Sequence, residues 1–213
     1  MNDILIYGAG GFGREIACML CAINEIKPQW KLLGFIDDRL EKGFQNRYGK
    51  VLGNINNLNE WSEKVALAIS IASPNILKNL TQKISNQNIW FPNLIAPDVK
   101  IFDKRAFSTG FGNIIFWGTR LSCDVSIGNF NILNSNTSLG HDVSIGSFNV
   151  FGPNTRISGN CIVGNENFFG VYSMVIQGMK IGEKTRIGAN SLIIRNTKNN
   201  SLYFGSPAKR IYQ

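Results

Sequence analysis

The chain has 213 residues, 44% of them hydrophobic and 17% charged, a soluble globular composition long enough for one large or two small domains with a sizeable core. Its net charge of +8 favours phosphate-bearing partners, and the lack of any dense Lys/Arg run points away from nucleic acid. No stretch approaches the roughly 20 apolar residues of a membrane span, and Ile4 to Tyr7, which ends at Gly8 with no basic segment before it, is no signal peptide.

In chain order, residues 4–7 read as a buried strand. Gly8-Ala9-Gly10-Gly11-Phe12-Gly13 follows, then an apolar helical stretch from Glu15 to Ile23. Cys18 and Cys21 form a CxxC inside that stretch. With the sole histidine far away they lack a metal's further ligands, so they, Cys123 and Cys161 are read as packing residues of a protein in a reducing, cytoplasmic compartment. Leu32 to Ile36 is a second strand, ending at Asp37-Asp38. A strand around 65–71 and a helix around 75–87 complete a small α/β unit. Strand, GxGxxG, helix, strand, acid is the dinucleotide-binding pattern: glycines let backbone approach a phosphate at a helix N-terminus, and the acid can bond a ribose hydroxyl. Residues 1–92 are short for a full NAD-binding domain, so a half-size unit gripping one nucleotide fits better and NAD is not expected. Pro92 and Pro97 bracket the expected boundary with a second domain over 93–213.

The second part is dominated by a repeat. Every sixth residue from Ile115 through Leu121, Ile127, Leu133, Leu139, Ile145, Phe151, Ile157, Val163, Phe169, Val175, Ile181 and Ile187 to Ile193 is apolar. Glycine follows the apolar residue at 128, 140, 146, 152, 164, 170, 182 and 188, and small or polar residues such as Thr137, Thr155 and Ser173 precede it by two. A period of six fits a short strand plus a tight turn, with the apolar residue inward and the small one filling the corner. Such rungs cannot bury their faces alone and must stack; three make a triangular coil of 18, so residues 18 apart lie above one another. Ile95, Ile101 and Phe107 keep the period in another frame, which predicts a bulging loop between Phe107 and Ile115.

This pattern resembles the hexapeptide-repeat acyltransferases, whose fold is a left-handed parallel β-helix. With the N-terminal motif, Gly34-Phe35-Ile36-Asp37-Asp38 and the ending Gly205-Ser206-Pro207-Ala208-Lys209-Arg210, the chain looks like bacterial sugar acyltransferases of the PglD and NeuD type. The resemblance implies an α/β Rossmann-like domain holding a nucleotide-linked sugar, followed by a β-helix that uses acetyl-CoA. It implies N-acetylation of an amino-dideoxy sugar for glycan synthesis; O-acetylation of a sugar hydroxyl, as on sialic acid, is the alternative. A non-catalytic scaffold or a nicotinamide enzyme are readings of another class. Carried over by motif, Gly10, Gly11, Phe12, Asp37 and Asp38 would contact the nucleotide-sugar, while Ala72-Ser73-Pro74 departs from the Gly-Asn pair such relatives often carry.

Acyl transfer from a thioester needs a base, an oxyanion donor and a groove for CoA. His141, the single histidine, sits two residues past inward Leu139, hence on a turn facing out. By the resemblance it is the catalytic base, Asp142 orients its ring, and Asn134 lies on the substrate side. Stacking arithmetic puts Gly159 one coil above His141, where its backbone N–H could meet the oxyanion. Val171 and Ala189 match positions on the CoA groove, with Lys180, Lys184, Arg186 and Lys209 near enough to meet its phosphates. No metal is expected. Open helix edges and the relatives' habit imply a homotrimer.

Overall fold

The computed structural model describes residues 1–212 and divides into two compact units, Met1–Ala72 with Ile76–Pro97, and Ser73–Asn75 with the chain from Asp98 onward. The first unit is an α/β sheet. Its elements are β1 (Asn2–Tyr7), α1 (Gly11–Ile26), β2 (Trp30–Ile36), β3 (Gln45–Asn46), β4 (Gly49–Gly53), α2 (Ile55–Asn59), β5 (Val65–Ile69), α3 (Pro74–Lys83) and β6 (Ile89–Trp90). The sheet order is β3-β4-β2-β1-β5-β6, parallel except for the β3–β4 hairpin. Ile4, Leu5 and Ile6 are fully buried because β1 lies mid-sheet, where a strand covered on both faces is apolar throughout. The chain runs from β1 outward through β2 and β4, then returns to β5 on the other side. The end of β1 is therefore a topological switch point, where open α/β sheets bind ligands.

Strand β2 begins two residues earlier than its apolar run, and the β3–β4 hairpin and α2 have too little periodicity to be read from sequence. Helix α1 also corrects the reading of two cysteines. Its buried face is Gly13, Ile16, Ala17, Met19, Leu20 and Ile23, and at 3.6 residues per turn Cys18 and Cys21 fall on the opposite, exposed face. Cys18 Sγ lies 2.8 Å from Tyr48 Oη on the hairpin. Cys161, by contrast, is buried in the second unit.

The second unit is a left-handed parallel β-helix. Two-residue strands stack at a spacing of 18 on three faces. On the first face Ile114 pairs with Ile132, then Val150, Phe168 and Arg186. On the second Arg120 pairs with Ser138, then Arg156, Met174 and Leu192. On the third Ser126 pairs with Ser144, then Ile162 and Lys180. All fourteen sixth-position apolar residues from Ile115 to Ile193 are buried. Phe151 and Phe169 stack inside with ring centroids 4.6 Å apart.

Closure depends on a left-handed residue in each turn. From Asp124 to Asn190 every sixth residue has positive φ, near 55–60° for Asp, Asn, Phe, Tyr and Glu alike, with Gly178 the glycine in the series. Asparagine and aspartate adopt this region at least cost; Phe130, Phe148 and Tyr172 adopt it because the rungs above and below hold them there.

The frame shift falls earlier than expected. Ile101 pairs with Leu121, 20 residues on, but Thr109 already pairs with Ile127 at 18. The two extra residues therefore lie between Ile101 and Thr109. Thr109, an exposed residue, and not Phe107 holds the register position opposite Ile127.

A buried asparagine ladder occupies one corner. Asn113, Asn131, Asn149 and Asn167 are fully buried, and each Oδ1 accepts the backbone N–H one coil above, at 2.7 to 2.9 Å, ending on Thr185 N–H. The amide nitrogens of Asn131 and Asn149 also donate to the Oδ1 below. Replacing Asn149 with leucine leaves Asn167 N–H buried without its acceptor, at about 1–3 kcal/mol, and removes one of the two donors to Asn131 Oδ1, which keeps the backbone N–H of residue 149. Asn149→Leu is therefore expected to lower the thermal midpoint by several degrees, and an unchanged midpoint would show that the ladder does not hold the coils in register.

Burial pushes the Cys161 thiol above its usual range, whereas Cys18 and Cys21 are open to solvent. Because the thiolate is the reactive form, a thiol reagent at neutral pH is expected to modify Cys18 and Cys21 in the native protein and Cys161 only after unfolding. Mass spectrometry of the labelled protein reads this directly.

Candidate active site

In the first unit, the glycine motif forms the turn between β1 and α1. Gly8 has φ +101°, and a Cβ there would meet Ser70 Oγ; a Cβ on Gly13 would meet the Gly8 carbonyl oxygen. These two are glycines because helix, turn and strand pack too closely for a side chain. Gly10 and Gly11 differ. Nothing lies within 4 Å of a Cβ on Gly10, and at Gly11 only the Arg14 guanidinium comes within reach. Internal packing does not require glycine at either, so their smoothness is available to a ligand. The α1 N-terminus, with Gly10 as cap, has no side-chain cap bond and no acidic residue in its first turn, which leaves its positive end to an anion.

The two acids after β2 do structural work. Asp37 accepts from Ala9 N–H (2.9 Å) with one oxygen and from Arg39 and Leu40 N–H (2.9 and 3.2 Å) with the other. Asp38 accepts the Tyr7 hydroxyl (2.5 Å) and Ile55 N–H (3.0 Å). Burial, followed by the Asp38 carboxylate, holds the Tyr7 phenol well above its ordinary range. Asp37 thus pins the glycine turn to the end of β2, and any ligand contact it makes comes on top of that. Asn46 of the hairpin donates to the Ala9 carbonyl (3.2 Å), so three chain segments meet at this turn.

In the second unit, three corners join the faces. The corner holding Asn129, Ser147, Asn165 and Glu183 is closed by side-chain bonds from rung to rung. Lys180 and Lys184 flank this closed corner rather than the one bearing Val171 and Ala189. Arg186 lies on the first face with its guanidinium 4.8 Å from the Phe168 ring centre.

His141 stands on the corner between the second and third faces. Asp142 takes the left-handed turn conformation (φ 57°), which turns its carboxylate back onto the ring: His141 Nδ1 lies 2.7 Å from Asp142 Oδ2. With Nδ1–H donating to that carboxylate, Nε2 carries the lone pair. Backbone bonds fix the turn below and above, Asp142 N–H to the Cys123 carbonyl and Asn160 N–H to the His141 carbonyl. The two side chains are 47% and 53% exposed. Gly159 lies against the ring, where a Cβ would come 2.4 Å from Nε2. The imidazole therefore has an open edge, a carboxylate behind it and a glycine beside its basic nitrogen.

Asn134, Val171 and Ala189 occupy a different corner, between the first and second faces. Asn134 Nδ2 donates to the Phe151 carbonyl (3.0 Å), leaving Oδ1 as its free polar atom. Val171 and Ala189 are exposed one rung apart, with Asn190 N–H bonded to the Val171 carbonyl. One chain thus gathers His141, Asp142 and Gly159, and separately Asn134, Val171 and Ala189. The second face, roughly 15 Å wide at about 3.3 Å per residue, separates the groups. Sequence reasoning missed this division because a six-residue repeat makes every corner look alike.

The fold and site define a two-unit protein, an α/β domain with a glycine turn at its switch point followed by a β-helix with a histidine–aspartate pair at one corner. Residues 3–84 match the PglD N-terminal domain family. No curated protein sequence matches the chain. Among solved structures, PerB from Caulobacter crescentus in complex with CoA and GDP-perosamine superposes with a TM-score of 0.88 at 24% identity, over 100% of this chain and 98% of that one. The acetyltransferase domain of PglB from Neisseria gonorrhoeae FA1090, in complex with acetyl coenzyme A, gives 0.88 at 23% identity over 99% and 100%. WeeI from Acinetobacter baumannii AYE gives 0.87 at 22% identity over 99% and 100%. The chain therefore has the fold of these proteins over its full length. Among the described residues no helix is long and apolar enough to cross a membrane, and no group of three His, Cys, Asp or Glu could hold a metal ion.

Because the chain has one histidine, its ring gives a single set of NMR signals. Gly159→Ala is expected to move the imidazole off the Asp142 carboxylate and shift those signals, while the melting temperature changes little. Unshifted ring signals would mean that Gly159 does not set the ring's position.

Proposed function

We propose that the protein is an acetyl-CoA-dependent N-acetyltransferase acting on a nucleotide-linked amino-dideoxy sugar, a 4-amino-4,6-dideoxyhexose, for surface-glycan synthesis in the cytoplasm. The observation that carries this is His141, held by Asp142 through Nδ1 with Nε2 open to the surface. The full-length likeness to PerB, whose structure holds CoA and GDP-perosamine, supports the substrate class. The open turn at Gly10, Gly11 and Phe12, closed from behind by Asp37 and Asp38, takes the nucleotide-sugar, with its diphosphate at the α1 N-terminus.

In the reaction the sugar amine, as the free base, attacks the thioester carbonyl, and His141 Nε2 removes a proton from the nitrogen as the C–N bond forms. Asp142 stabilises the resulting imidazolium and keeps the ring in the tautomer that exposes Nε2. Gly159 N–H is the donor for the carbonyl oxygen, which gains negative charge in the tetrahedral intermediate. Collapse expels the CoA thiolate, which takes up the proton from His141.

The two corner groups make one site only between copies of the chain. The second face, which lies between them, exposes Met174, Ile176 and Ile194, with Val171 and Tyr172 at its edge. Burying this stripe against another copy sets one chain's His141 corner beside its neighbour's Asn134, Val171 and Ala189. Such head-to-tail contacts close into a ring, and a homotrimer is the expected state. CoA lies in the cleft so formed, near Lys209.

The test is free-thiol release from acetyl-CoA against nucleotide-linked 4-amino sugars, the matching hydroxy sugars and free sialic acids, corrected for labelling of Cys18 and Cys21. Turnover with an amino sugar is expected, and His141→Ala is expected to lose about 10²–10⁴-fold in rate with the oligomer intact in sedimentation. Activity of that variant within tenfold of the parent overturns the assigned base, and turnover only with a hydroxyl acceptor assigns O-acetylation instead.

A further inference from the structure

The second face of the β-helix carries a feature the proposed acetyl transfer does not use. Its outward strand positions, taken up the coil, are Lys100, Arg120, Ser138, Arg156, Met174 and Leu192. The upper part is apolar; the lower part is cationic, with no acidic residue among its strand positions. Lys100 and Arg120 are direct cross-strand partners, an arrangement that like charges make unfavourable. Neither Arg120 nor Arg156 has a carboxylate within ion-pair distance among the described residues. Asp98, at the lower edge, spends one oxygen on Gly118 N–H (3.0 Å).

Arg120 and Arg156 stand two rungs apart, about 9.6 Å at 4.8 Å per rung, and the rung between them presents only the short side chain of Ser138. The result is a notch of about 170 Å³ lined by Gly118, Arg120, Asn136, Ser138, Asn154 and Arg156. Two arginines from above and below, a hydroxyl at the floor and two amides along one side line the notch, with the Asp98 carboxylate bonded to Gly118 at its lower edge. Arginine forks match the oxygen geometry of a phosphoryl group, and a small residue between two long cations leaves the space such a group fills.

We propose that this notch, on the second face between the Asn134 and His141 corners, is an anion site for a phosphoryl group, distinct from the glycine turn of the first unit. The anion offsets the repulsion along the Lys100–Arg120–Arg156 column. The notch lies on the rung of Asn134 and His141, so in the proposed ring of copies it faces the neighbouring copy, and the anion screens the cationic parts of the two faces from one another.

The test is calorimetric titration of the intact protein with orthophosphate at fixed ionic strength. Saturable binding is expected, weakened at least tenfold in Arg120→Gln/Arg156→Gln and likewise in Ser138→Leu, which fills the notch but keeps both cations. The equal charge change Lys27→Gln/Lys83→Gln, at two exposed lysines of the first unit, is expected to leave binding within twofold. No binding to the parent protein, or the same loss in the lysine control, overturns the proposal; so does binding that persists in both notch variants. A glucose 1-phosphate arm, with glucose as blank, identifies the source. Binding as tight as orthophosphate assigns the phosphate of an organic ester, and binding of orthophosphate alone assigns the free ion.

Discussion

The structure depends on one constraint: a six-residue rung must turn a corner and still hand its backbone N–H and C=O groups to the rung 18 residues on. Strands of two residues have too few bonds to persist alone. They persist because each ladder is continuous, each rung puts one apolar side chain into a shared interior, and each corner is turned by a left-handed residue. Where phenylalanine, tyrosine or glutamate takes that conformation, the stacked rungs impose what the local chain would resist.

The corners then become the variable part of a uniform tube. One is sewn shut by Asn129, Ser147, Asn165 and Glu183, and the buried ladder of Asn113 to Asn167 secures the register. The other two are left open, one with His141 and its carboxylate, the other with the exposed Val171 and Ala189. The rigid coil also explains how an imidazole half open to water keeps a fixed orientation. Asp142 is locked by its own φ, and both neighbouring rungs hold the turn.

The first unit follows the same division between scaffold and opening. Gly8, Gly13, Asp37 and Asp38 are occupied with holding strand, turn and helix together. Gly10 and Gly11 have no such duty. A motif that reads as one phrase in sequence is thus two sets of residues with different work.

Much was legible beforehand. The period of six announced the coil, the spacing of 18 placed Gly159 against His141, and the pattern of strand, glycine turn and acid announced the α/β unit. Cys18 and Cys21 were misread because a mostly apolar helix hides which of its faces is buried. The frame shift was misplaced because Phe107 continues the apolar period of six, and only the pairing of Ile101 with Leu121 and of Thr109 with Ile127 reveals that the extra residues come before Thr109. The asparagine ladder was not read at all, since asparagine at a corner suggests a turn and only stacking at 18 makes it a buried chain of hydrogen bonds.

By itself the sequence determined the architecture and its repeat, because periodicity is a local property that dictates which side chains can be buried together. Tertiary structure alone decided which corner each residue occupies, that Asp37 and Asp38 brace the glycine turn, and that Arg120 and Arg156 flank an open notch. Those are relations between rungs and segments far apart in the chain, and they exist only once the coil has closed.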